Sequence, residues 1–190
     1  EIFSKLNFKV NIIPFDKNEY RNEINLDYTK DIFGNLSSLF KCFNIAKQSK
    51  NDLIFFLEDD YLHKETLIEE MVMTYERISS QLNKDLILVP SDYPFLYMNE
   101  RKTNVVTGSH RHWQTLNKIL CSFMTSSEIL NNYWNNFKLT CQDHNYPIEK
   151  HLNEICDKEI CISPIPSLSI HVANANSIFG VSPFIDVKNE

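Results

Sequence analysis

Three carboxylates, Glu58, Asp59 and Asp60, stand directly after the apolar run Leu53-Ile54-Phe55-Phe56-Leu57. Such an uninterrupted run fits a strand buried on both faces, as in a parallel sheet with helices on each side. The acids then fall at the strand's carboxyl end, where open α/β sheets bind ligands. Like charges this close repel each other unless a cation or a basic group sits among them. A hard divalent cation held by carboxylate oxygens, and able to neutralise a substrate diphosphate, accounts for the cluster. A plainer account stands beside it: a turn entering a helix, whose N-terminus favours carboxylates. A helix does follow. Leu67, Met71, Tyr75, Ile78 and Leu82 line one face, and Glu65, Glu69 and Glu70 occupy its opening turns.

A second group is Gly108-Ser109-His110-Arg111-His112-Trp113, dense in side chains that donate hydrogen bonds or stack. The elements that must position both groups alternate. Residues 8–15 (FKVNIIPF) predict a strand ending at a proline, and 16–34 are polar and irregular. Gly34-Asn35 opens a helix over about 36–48, with Leu39, Phe43 and Ala46 buried and Ser37 or Ser38 as its cap. The acidic strand and the long helix come next, then a strand from Leu86 to Val89 ending in Ser91-Asp92. Strand, helix, strand, helix, strand is an α/β layered pattern and predicts a mostly parallel sheet flanked by helices. Beyond it lie a loop over 93–107, a strand over 119–123 and a short helix over 126–135. A helix over about 147–155 follows, with Pro147 at a tolerated early position. Residues 161–166 are extended, and 167–186 carry His171 and end in a loop containing Ser182-Pro183.

The bulk numbers bound the answer. A chain of 190 residues, 43% hydrophobic and 23% charged, suits one soluble domain with a substantial core. A net charge of -6 without a basic stripe argues against nucleic acid as partner. The five cysteines lack CxxC spacing, which favours buried reduced thiols over disulfides or zinc. With only three glycines there is no phosphate-binding glycine loop. No run reaches membrane-spanning length and no signal peptide is visible, so the expected location is the cytoplasm or the cytoplasmic membrane face. The chain opens with Glu1, which reads as a piece cut from a longer polypeptide.

The order of motifs resembles a known group. Gly34-Asn35 before a helix, then LIFFLEDDYLH, SDY, HRHWQT, QDH and SPIPSLSIHV are similar to inverting nucleotide-sugar glycosyltransferases of the GT-A fold, family-2-like, over residues 8–186. The resemblance implies an enzyme that moves a sugar from a nucleotide-diphosphate donor, UDP-linked by expectation, to a saccharide or lipid-linked hydroxyl. By position it makes Asp60 the ligand of Mn²⁺ or Mg²⁺ and sets Asp59 against the ribose or a metal-bound water. It makes His171 the late metal-binding histidine, the alternative being a satisfied loop histidine. Asp143, ahead of a helix, becomes the general base, a role compatible with capping that helix. Asp92 meets donor sugar or acceptor. Trp113 floors a sugar ring, with His110, Arg111 and His112 as donors, or else is a core tryptophan in a surface turn. Asn35 and Ser38 approach the nucleotide or simply begin a helix.

One departure stands out, because such domains carry a strand, a helix and a second strand before the segment matching residues 8–15. Either 8–15 is the first strand of a shortened version, or an upstream part lies elsewhere. Two other readings of the acids remain: a metal-dependent nucleotidyltransferase, or a non-catalytic GT-A-like scaffold.

Overall fold

The structure is a computed structural model, and it describes residues 12–172 and 176–180. A six-stranded sheet is its spine. Its strands are β1 (Leu53–Phe56), β3 (Leu86–Leu88), β4 (Val105–Thr107), β5 (His112–Leu116), β6 (Phe123–Ser126) and β7 (Ile160–Ile165), in the order β1-β6-β3-β7-β5-β4. A separate two-stranded ladder pairs β2 (Tyr61–His63) with β8 (Ser169–His171).

Five helices cover the sheet: α1 (Asp31–Gln48), α2 (Leu67–Leu82), α3 (Ser127–Asn132), α4 (Trp134–Gln142) and α5 (Lys150–Cys156). Alternation along each strand sorts side chains to two faces. Leu86, Leu88, Met124 and Ile162 meet Leu67, Met71, Tyr75 and Ile78 of α2. Phe56, Ile87, Phe123 and Cys161 face the opposite way, into a core completed by α1, α3, α4 and α5. Phe43 of α1 packs edge-on against both Phe56 and Phe137, with centroids 5.0 and 4.9 Å apart.

The layering is α/β, as expected, but the sheet is not mostly parallel. Among the described residues only β3 and β7 run parallel, and the other pairs, β1–β6, β3–β6, β5–β7 and β4–β5, are antiparallel. Two-faced burial holds for β3, whose three residues are all buried, but not for β1, which is an edge strand with Phe56 alone buried and Leu53, Ile54 and Phe55 half-exposed. Burial on both faces carries no information about strand direction.

Several boundaries also move. Residues 8–11 of the expected first strand lie outside the described residues, and 12–15 are not a strand. Helix α1 begins at Asp31, so Gly34, Asn35, Ser37 and Ser38 all lie inside it. The Asp27 carboxylate accepts from the Thr29 amide at 3.0 Å and forms the turn that launches the helix. Phe33 then joins Leu36, Phe40 and Phe43 on the buried face. The expected strand over 119–123 occurs instead as β6, and the Ser126 side chain caps α3 by accepting from the Ile129 amide at 3.0 Å. Helix α4 has no counterpart in the sequence reading.

Candidate functional site

The chain leaves β1 through Leu57, Glu58 and Asp59 and re-enters extended structure at Tyr61. Asp60 therefore stands at the head of the β2–β8 ladder. Pairing sets Tyr61 opposite His171, Leu62 opposite Ile170 and His63 opposite Ser169. The ladder is tied to the main sheet where Ser91 Oγ donates to the Ser169 carbonyl at 3.0 Å. The Asp92 amide likewise donates to Ser167 Oγ at 2.8 Å.

This pairing brings His171 Nε2 to 2.9 Å from Asp60 Oδ2. The other carboxylate oxygen, Asp60 Oδ1, is buried and has no hydrogen-bond partner among the described residues. The imidazole is held flat by the Tyr61 ring, stacked at 4.5 Å and 4°. The Tyr61 hydroxyl is in turn 2.8 Å from that of Tyr93. An oriented imidazole and a carboxylate with an unused buried lone pair fit a divalent cation with mixed nitrogen and oxygen ligands. Among the described residues, no three His, Cys, Asp or Glu side chains gather as a metal cluster. Asp60 and His171 would hold such an ion as a pair, with substrate oxygens and water filling its shell.

Two cavities flank the pair. One, about 750 Å³, is lined by Asn35 and Ser38 of α1, by Glu58, Asp59 and Asp60, and by Glu149. The other, about 800 Å³, is lined by Phe95, Tyr146, Phe179 and His171, and again by Glu58 and Glu149. Glu58, Ile148 and Glu149 thus form the wall common to both. Burial pushes the Glu58 carboxyl up to about 7, and the charges of Asp60 and Glu149 add to the rise. Burial also raises the Glu149 carboxyl above the usual range. A half-buried carboxylate of raised basicity, open to two cavities, is suited to accept a proton.

The remaining sequence candidates lie elsewhere. Asp143 closes α4 rather than preceding a helix. It is exposed, accepts from Asn25 Nδ2 at 3.1 Å, and lines neither cavity. Asp92 is fully buried and accepts from the Tyr97 hydroxyl at 2.7 Å and from Gln114 Nε2 at 2.8 Å. Trp113 is fully buried too, with its indole NH donating to Glu70 Oε1 at 3.2 Å, so its position is that of a core tryptophan. His112 is exposed at the start of β5 and lines neither cavity. Arg111 Nη1 donates to the Pro166 carbonyl at 3.0 Å. The HRHW segment thus anchors a loop. The described cysteines are all free thiols, buried except for Cys42. Among the described residues no helix is long and apolar enough to cross a membrane.

Glu149 escaped the sequence reading. Its signal was an acid directly ahead of the amphipathic segment of α5, the same pattern that was applied to Asp143. Comparison with protein-family models, with curated proteins and with solved structures gives no significant match.

Proposed function

We propose that this chain is a metal-dependent, inverting glycosyltransferase that passes a sugar from a nucleotide-diphosphate donor, UDP-linked, to a hydroxyl acceptor. The observation that carries this reading is the Asp60–His171 contact of 2.9 Å with its orphaned, buried Oδ1. The donor lies in the cavity lined by Asn35, Ser38 and Asp59, with Asp59 on the ribose side. Asp60 and His171 would hold Mn²⁺ or Mg²⁺, and the chemistry such an ion would supply is Lewis-acid stabilisation of the departing diphosphate.

The acceptor approaches from the second cavity. Its oxygen attacks the anomeric carbon as the carbon–oxygen bond to the diphosphate breaks, and that bond's electron pair leaves with the diphosphate. The proton of the attacking hydroxyl goes to a carboxylate, and Glu149 is better sited for it than Asp143, because Glu149 faces both cavities. A single displacement, with the acceptor oxygen entering opposite the departing diphosphate, inverts the anomeric centre.

Calorimetry with UDP and Mn²⁺ tests the donor half. Saturable binding is expected in the wild type, and its loss is expected in Asp60→Asn. Binding that ignores this substitution removes the reading.

A further inference from the structure

The second cavity has a chemical character of its own. Tyr146 stands at its rim, 98% exposed, with its ring open to solvent. Phe95 and Phe179 form another part of the lining, their rings 5.5 Å apart and tilted. Ile119, Leu120 and Ile148 complete an apolar surface. Flat aromatic faces with aliphatic neighbours suit the C–H face of a pyranose.

Charge in this cavity is divided by place. Its acids, Glu58 and Glu149, both belong to the wall shared with the first cavity. Lys118, Lys150 and His144 line the second cavity only, and all three are exposed. Among the described residues neither lysine is in an ion pair. In a chain of net charge -6, two lysines at one apolar opening without an acidic partner favour a negatively charged ligand.

We propose that the second cavity takes an anionic pyranoside: a sugar ring lying on Tyr146 and Phe95, with a carboxylate or phosphate met by Lys118 and Lys150. This rests on the transferase reading, in which the ligand is the acceptor and its free hydroxyl faces Glu149. One cavity thereby holds both the group for proton removal and the lysines for charge recognition.

The test is a saturation-transfer NMR titration of the full chain with UDP and Mg²⁺ present. Three probes share one ring: methyl glucoside, methyl glucuronide and glucose 1-phosphate. At least one anionic probe is expected to bind about tenfold or more tightly than the neutral one, a gap of one charge-assisted contact. Which anion gains more separates a uronate acceptor from a phosphorylated one. The paired variant Lys118→Ala with Lys150→Ala is expected to erase the preference and keep UDP binding, which also reports a folded chain. Tyr146→Ala is expected to weaken all three probes alike. Equal binding of neutral and anionic probes, no binding of any probe, or a preference that survives loss of both lysines overturns the proposal. UDP binding is scored separately, so loss of it in the wild type counts against the transferase reading instead.

Discussion

Asp60 and His171, 111 residues apart in the chain, meet at 2.9 Å because β2 and β8 pair in a register that sets Tyr61 against His171. A slip of one residue in that ladder would turn the imidazole to the other face and part the two groups. A cation bound by this pair stabilises the native chain by mass action, by about 2.7 kcal/mol at a hundred times Kd. Thermal denaturation with and without Mn²⁺ reads this directly. The wild type is expected to gain in melting temperature, and Asp60→Asn and His171→Ala are each expected to lose most of the gain. Equal gains in all three proteins would place the ion elsewhere.

Glu149 and Asp143 compete for one role, and kinetics separates them. Glu149→Gln is expected to lower kcat by about 10²–10⁴-fold with little change in KM, the usual worth of a general base. Asp143→Asn is expected to stay within about threefold of wild type, since an exposed surface contact is all it loses. The pH profile carries a second signature. Burial raises the Glu149 carboxyl, and a base must be deprotonated to act. Activity should therefore climb with pH through a value above the ordinary carboxylate range. An acid limb inside the ordinary carboxylate range would argue against Glu149 as the base.

The contrast between these two acids also shows what the sequence could disclose. Elements with strong periodicity were legible: α2 is bounded as its Leu67, Met71, Tyr75 and Ile78 pattern implied. Helix α4 was not. Lys138, Leu139 and buried Thr140 stand between its buried Phe137 and Cys141, and an asparagine-rich start hides the amphipathic face. With α4 unseen, Asp143 read as standing before a helix instead of ending one. Strand direction was illegible for a different reason, since Phe56, Ile87 and Phe123 would be equally apolar in either orientation. The β2–β8 ladder is too short to announce itself. Asp60 and His171 were singled out on the order of motifs, and long-range pairing then determined that they meet.

The loop after β4 rests on one buried carboxylate. Glu70 is 2% exposed and accepts from Thr74 Oγ1 at 3.1 Å, from the His110 amide at 2.9 Å and from Trp113 Nε1 at 3.2 Å. Glu70→Ala leaves the Thr74 hydroxyl and the Trp113 indole NH buried without that acceptor and is expected to cost about 2–4 kcal/mol. Gly108 passes directly over the same indole. A Cβ there would run into Trp113 and lie 2.6 Å from Thr74 Oγ1. Gly108→Ala is therefore expected to destabilise by about 1–3 kcal/mol through overpacking. Urea denaturation measures both, and a neutral Gly108→Ala would mean that the indole moves freely.

His63 gives the fold an acid-side sensitivity. Its Nδ1 is 2.7 Å from Ser169 Oγ and its ring lies parallel to Tyr61 at 6.1 Å. Burial lowers its pKa from the usual 6.5. A group whose folded value is depressed binds fewer protons folded than unfolded. Its stabilising contribution is therefore present above about 6.5 and is lost as pH falls through the folded value. Glu58 and Glu149, whose folded values are raised, work the other way: they lose stability as pH rises, so wild type alone gives a mixed response. His63→Asn keeps a polar partner for Ser169 and removes only the imidazole's titration. The difference in urea midpoint between variant and wild type, followed from about pH 7.5 to about pH 5, isolates it. The variant is expected to gain on wild type toward acid. A difference that stays constant over that range would show that His63 ionises in the folded chain as it does in the unfolded one.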